Sequence, residues 1–96
     1  MTAVRWTPQA ADDLQAIYDF IARDSRHYAQ LVVEDILAAI DRLQQFPLMG
    51  RVVPERHRDD VREVIKRPYR IVYQVGEPIF ILMVFRTSRL FPSEVK

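Results

Sequence analysis

Apolar residues return every three to four positions from Ala10 to Ile21 and again from Ala29 to Leu43, after which the rhythm shortens to two. The first stripe, Ala10, Leu14, Ile17, Tyr18 and Ile21, predicts an amphipathic helix running to about Arg23. Thr7 is placed to cap it, Pro8 suits the first helical position, and Asp12 and Asp13 stand near the positive end of its dipole. The second stripe, Ala29, Val32, Val33, Ile36, Leu37, Ile40 and Leu43, predicts a longer helix capped by Asp24 or Ser25 and stopped by Pro47 and Gly50. With little more than "RDSRH" between them, the two helices must fold back as an antiparallel hairpin.

Extended chain precedes and follows the hairpin. "AVRW" reads as a short opening strand, and "RVVPERHRDD" as a polar loop. Three strand-like segments come next: "VREVIK" (61–66), "YRIVYQV" (69–75) and "IFILMVF" (79–85). The links "RP" and "GEP" are short enough to make neighbouring strands antiparallel. Because the last segment is apolar at nearly every position, it is expected to be a central strand covered on both faces. The order β-α-α-β-β-β gives an α+β class, with a helix hairpin packed on one face of a mainly antiparallel sheet.

Length makes this one domain, residues 1–96, since so short a chain cannot build two cores. The absence of cysteine excludes a disulfide scaffold and thiolate zinc sites, and His27 and His57 have no partner at ligand spacing. No metal and no cofactor are expected. The N-terminus lacks the pattern of a secretory signal and "PIFILMVF" is too short to cross a bilayer, so a soluble, cytoplasmic protein without a membrane partner is expected. A near-neutral total hides an asymmetry: residues 1–48 hold four arginines against seven acids, whereas residues 49–96 hold ten bases against six acids.

The positive half draws attention to Arg70. If the hairpin covers Ile71, Tyr73 and Val75, alternation puts Arg70 on the opposite face, where Arg62 is expected to join it from the neighbouring strand. Arg86 and Arg89 follow the last strand. Guanidinium groups converging on an open face would bind phosphates or a carboxylate-rich chain, because the fork matches such anions bidentately. The competing reading pairs each arginine singly with Glu63, Asp59 or Asp60, or leaves it solvated. Proton transfer needs other groups, since arginine holds its proton near neutral pH. His57, Tyr69, Tyr73 and Lys66 are the nearest, and they make no evident acid–base pair. Trp6, Phe80, Leu82, Leu90 and Phe91 are candidates for an exposed apolar patch.

Several pieces together carry a family likeness. They are "A-x-x-D-L-x-x-I-x-x-F-I" from Ala10, "L-x-x-F-P-x-M-G-R" from Leu43, "V-R-E-V" from Val61, "Y-R-I-V-Y-Q-V" from Tyr69, and a last strand leading into "R-T-S-R". In this order the chain resembles, over nearly its whole length, the ParE/RelE superfamily of toxins from type II toxin–antitoxin systems, the plasmid stabilisation family. The resemblance implies a small toxin silenced by a cognate antitoxin, hence a hetero-oligomer, with a segment of the antitoxin wrapped over helices and sheet. It further implies one of two targets: DNA gyrase for ParE-type members, which use no proton-transfer site of their own, or messenger RNA cut on the ribosome without metal for RelE-type members.

The tail "FRTSRLFPSEVK" lacks the tyrosine or histidine that RelE-type members usually carry there, and the long second helix with "FPLMGR" is closer to the ParE branch. The expectation is therefore a non-enzymatic gyrase inhibitor, with Arg62, Arg70, Arg86 and Arg89 as the target-binding face. Trp6, Leu14, Tyr18, Ile36 and Ile40 are the expected antitoxin contacts. A RelE-like endonuclease is the alternative, with Arg62, Arg70, Arg89 and Lys66 as its site. A non-toxic protein-binding member of the same fold is the second. Arg70→Ala is expected to leave the fold intact if Arg70 is exposed.

Overall fold

The computed structural model describes residues 1–88, in the order β1 (Val4–Trp6), α1 (Pro8–Ala22), α2 (Arg26–Leu43), β2 (Arg51–Val52), β3 (Val61–Lys66), β4 (Tyr69–Gln74) and β5 (Ile79–Arg86). Both helices start where a side-chain hydroxyl takes up a free backbone N–H. Thr7 accepts from the Ala10 N–H at 3.1 Å, and Ser25, rather than Asp24, accepts from Tyr28 at 3.0 Å. Asp12 and Asp13 fall beyond the first turn of α1. Asp13 serves instead as a tether, accepting a hydrogen bond from the Val84 N–H of β5 at 2.9 Å.

The strands form one sheet in the order β1-β5-β4-β3-β2, antiparallel except for the parallel β1–β5 pair. β2 lies inside the stretch expected to be loop. It has only two residues, both exposed, so no alternation announces it. β4, not β5, is the strand covered on both sides: its first five residues are buried, whereas Phe80 of β5 is exposed and Leu82 and Met83 are half-buried. β1 pairs with β5 only from Ile79 to Ile81 and leaves the rest as an edge, while Phe80, inside the paired stretch, is on the face away from the helices, opposite Gln74.

Where β5 loses β1 it also bulges. Val72 faces Met83 and Tyr73 faces Ile81, so Leu82 is the extra residue. The start of α1 satisfies the disturbed backbone: the Thr7 hydroxyl donates to the Ile81 carbonyl at 2.8 Å and the Thr7 N–H donates to the same oxygen at 3.1 Å.

The hairpin covers one face of the sheet as expected. Its main core unites Ala10, Ile36, Ala39, Ile40 and Leu43 with Tyr69, Ile71, Tyr73, Ile79, Ile81 and Val84, and Val75 packs against it. The far face is not open. A second, smaller cluster of Val53, Val61, Val72 and Phe85 sits there, because the strands carry apolar residues on that side and the 53–60 segment folds back over them. That segment is held by Val53 N–H to the Val61 carbonyl at 3.1 Å and Val75 N–H to the Asp60 carbonyl at 2.7 Å.

Candidate functional site

Arg70 lies on the far face of β4, as alternation requires, but it is 9 % exposed and Glu63 beside it is 1 % exposed. Its Nε donates to Glu63 Oε1 at 2.7 Å, and its Nη2 donates both to that oxygen and, at 3.2 Å, to Glu55 Oε1. Arg51 on β2 closes the other side of Glu63 through Nε and Oε2. The Phe85 ring lies 5.1 Å from the guanidinium carbon of Arg70. The result is a chain of alternating charges, Arg51–Glu63–Arg70–Glu55, built across β2, β3, β4 and the 53–60 segment. Burial works against the charge of Arg70, but hydrogen bonds to Glu55 and Glu63 outweigh it and hold its pKa above the ordinary value. The same bond from Arg70 lowers the pKa of Glu55 despite the opposing effect of burial.

Arg62 does not join Arg70. In the β3–β4 register Arg62 stands opposite Tyr73, which belongs to the helix-side core, while Arg70 stands opposite Ile65. Cross-strand partners share a face, so the two arginines point to opposite sides. Arg62 instead clasps the turn after α2, donating to the Gly50 carbonyl at 3.0 Å, the Leu48 carbonyl at 3.4 Å and the Asp59 carbonyl at 3.2 Å.

Tyr73 completes the clasp. Its hydroxyl donates to the Pro47 carbonyl at 2.7 Å and accepts from the Gly50 N–H at 3.0 Å, and burial pushes its pKa up. Only glycine fits at position 50, since a Cβ there would lie 2.6 Å from the Glu63 carbonyl oxygen and 2.7 Å from the Tyr73 hydroxyl. Tyr73, considered as a proton-transfer group on sequence grounds, is a turn anchor.

Arg86 faces the helix side beside Tyr69, its register partner, with its guanidinium carbon 5.8 Å from the ring centre. Lys66 is the other register partner of Tyr69. Arg89 lies outside the described residues, as do Leu90 and Phe91. The expected four-arginine face is therefore not assembled among the described residues: Arg70 is locked in a buried network, Arg62 secures a turn, and Arg86 lies across the sheet from Arg70. The register of the "RP" hairpin carried the missing signal, because it dictates which basic residues share a side.

The expected antitoxin contacts also divide. Ile36 and Ile40 are buried in the main core and cannot meet a partner while the domain is folded. Trp6, Leu14 and Tyr18 line an open groove of about 400 Å³ together with Ala11, Gln15, Val33 and Leu37. Leu14 and Tyr18 are four residues apart on α1, and Val33 and Leu37 four apart on α2, so the groove runs between the two helices. Among the described residues no helix is long and apolar enough to cross a membrane, and no group of three or more His, Cys, Asp or Glu side chains is arranged to hold a metal ion.

Residues 4–91 match the family described as ParE toxin of type II toxin-antitoxin system, parDE. The chain belongs to this family. Consistent with that, it is 33% identical over 92 residues to Y4kP, a protein of Sinorhizobium fredii that bears a toxin name, covering 94% of this chain and 93% of that one. It is also 33% identical over 91 residues to Toxin RelE2 of Caulobacter vibrioides, covering 94% of this chain and all of the other. Among solved structures, a chain of the chromosomal ParDE system of P. aeruginosa superposes with a TM-score of 0.73 at 33% identity, over 90% of this chain and 96% of that chain. The RelBE2 toxin–antitoxin complex of Mycobacterium tuberculosis, at 24% identity and a TM-score of 0.59 over 88% and 96% of the two chains, shares the fold. As a member of the ParE/RelE superfamily, the chain is a toxin of a type II toxin–antitoxin system.

Proposed function

We infer that this ParE-family toxin arrests growth by binding DNA gyrase rather than by cutting RNA, and that a cognate antitoxin silences it. The observation that carries this reading is the dispersal of the candidate nuclease groups. Arg70 is neutralised by Glu63 and Glu55, Arg62 is spent on backbone carbonyls, and Lys66 lies on the other face of the sheet from Arg70. Metal-free phosphodiester cleavage needs cations and a proton-transfer group around one phosphate. Arg62, Arg70 and Lys66, the described members of the expected nuclease set, do not meet around one such position.

The groove between α1 and α2 suits the antitoxin, because an amphipathic helix docks through apolar residues at three- and four-residue spacing into a groove of this kind. Leu37, exposed on its rim, is the residue through which to test that contact. Leu37→Arg should leave the toxin folded and prevent its co-purification with the antitoxin encoded beside it.

The target is tested with the purified toxin in two assays run side by side, gyrase supercoiling and messenger RNA integrity on translating ribosomes. Loss of supercoiling with intact RNA is the expected result. Cleavage at defined codons with supercoiling unaffected overturns the inference. Induction in cells without the antitoxin should stop growth, and continued growth with a folded toxin would identify a non-toxic binding member.

A further inference from the structure

The turn that leaves α2 is apolar on its outside. In "FPLM" (46–49) Phe46 is 61 %, Leu48 63 % and Met49 41 % exposed, and Val52 follows on β2 at 38 %. No other stretch of the described residues shows three large apolar side chains to solvent within four positions. Neither core cluster of the described residues includes any of the three, so the packing of the domain gives no reason for their size.

The backbone beneath them is fixed from the inside. The Met49 N–H donates to the Phe46 carbonyl at 3.1 Å, and the Phe46 N–H to the Arg42 carbonyl at 3.0 Å. Tyr73 holds the Pro47 carbonyl and the Gly50 N–H, while Arg62 holds the carbonyls of Leu48 and Gly50. A loop on the surface can leave such groups to water. Here a buried tyrosine, a half-buried arginine and an obligatory glycine impose one backbone shape, and what they hold out is an apolar projection. A surface of that kind is unfavourable in water, and it meets a partner without further loss of conformational freedom.

We propose that this turn is the surface by which the toxin grips its target protein, with Phe46, Leu48 and Met49 seated in an apolar pocket bordered by carboxylates. The proposal rests on the gyrase reading and names the contact for it, since the expected arginine face is not assembled among the described residues. Phenylalanine and methionine are enriched at the cores of protein interfaces. The surrounding charges fix the sign of the partner. Arg42 and Arg51 flank the turn with no acid between them, and the Arg62 guanidinium lies against its carbonyls. The Arg51 side chain is 65 % exposed, although its Nε is engaged by Glu63, and Asp41 precedes the set. Charges of one sign at a rim steer association toward a surface of the other sign.

A projection needs a concave partner, and two identical projections do not seat in each other, which argues against a two-fold dimer of this chain through the turn. The antitoxin has its own place. None of Phe46, Leu48 and Met49 lines the interhelical groove, and Leu37 on its rim stands six residues, about 9 Å of helix, before the end of α2.

The test compares Leu48→Asp with Leu31→Asp, an equal change at another exposed apolar position. Both should melt within about 4 °C of wild type. Induced without antitoxin, wild type and Leu31→Asp should arrest growth and Leu48→Asp should not. In gyrase supercoiling, Leu48→Asp should raise the half-inhibitory concentration about thirtyfold or more and Phe46→Ala about fivefold. All variants should co-purify with the antitoxin and keep the molecular mass of wild type in light scattering. Should Leu48→Asp fail to fold, Phe46→Ala, which adds no charge, carries the same comparison. Arrest and gyrase inhibition by the turn variants equal to wild type overturn the proposal and leave the gyrase reading standing, as does an equal loss in Leu31→Asp. Loss of the antitoxin or a changed mass in Leu48→Asp also overturns it, assigning the turn to the antitoxin or to a second copy. Wild-type arrest with gyrase unaffected removes the gyrase reading alone, and the turn then stands or falls on whether Leu48→Asp abolishes the arrest. A wild type that neither arrests growth nor inhibits gyrase overturns both.

Discussion

Arg70 and Arg86 sit on neighbouring strands, yet their circumstances are opposite. Arg70 stands opposite Phe85 and Arg86 opposite Tyr69, so a single step along the paired strands moves a guanidinium from one face of the sheet to the other. On the far face two glutamates and an aromatic ring enclose it, whereas on the helix side it borders a cleft and has no carboxylate partner among the described residues. Net charge and residue type are the same in both cases. What separates a structural cation from an available one is whether its face supplies a buried anion, and only the fold determines that.

The comparison is broken most forcefully at Glu63. Glu63→Ala leaves Arg51 and Arg70 facing each other without their shared anion, and about 3–5 kcal/mol of stability should be lost in urea denaturation. Arg70→Ala should cost less than Glu63→Ala but still more than removal of an exposed arginine, because the buried carboxylate of Glu63 loses its partner at Oε1 and keeps only Arg51 at Oε2, which replaces the expectation that Arg70 can be removed with the fold intact. Substituting both by apolar residues of similar volume should restore most of the loss. A far face that tolerates Glu63→Ala with an unchanged denaturation midpoint would show that the network is not structural.

Next in size is Tyr73→Phe. It removes one hydroxyl that serves two backbone groups of the turn, and about 1–3 kcal/mol should go with it, measured the same way. A smaller effect belongs to Glu55. Its folded pKa lies below the ordinary 4.5, so its pairing with Arg70 stabilises the fold above that pH and is lost as the pH falls through the folded value. Thermal melts across this range should show a shallower acid limb for Glu55→Gln than for wild type. Smallest of all, Lys66→Ala and Arg86→Ala should each change stability by no more than about 0.5 kcal/mol, since no partner is stranded when either is removed.

The helices and four of the strands were legible in the sequence, the helices, β3 and β4 from the period of their apolar positions and β5 from its continuous apolar run, and alternation set Ile71, Tyr73 and Val75 on one face. Where periodicity was absent, so was the signal: β2 is a pair of exposed residues, and the parallel docking of β1 on β5 is a contact across 75 positions, such as Val4 with Ile79. The fate of Arg70 was hidden for a similar reason. Glu63 is seven residues before it and Glu55 fifteen, and only the folding back of the 53–60 segment brings the second within reach. Which of the residues expected to meet an antitoxin lie at the surface was not legible, since a helical stripe does not reveal which of its members turn inward, as Ile36 and Ile40 do, and which border the interhelical groove.

The meeting of α1 with the bulge of β5 sets how this domain can breathe. Thr7 and Asp13 stitch the first two turns of the helix to Ile81 and Val84, on either side of the inserted Leu82. A helix riveted to the sheet at its entrance cannot swing aside like a flap. Whatever seats itself between the helices therefore meets, at that end, a wall whose position was set when the chain first folded.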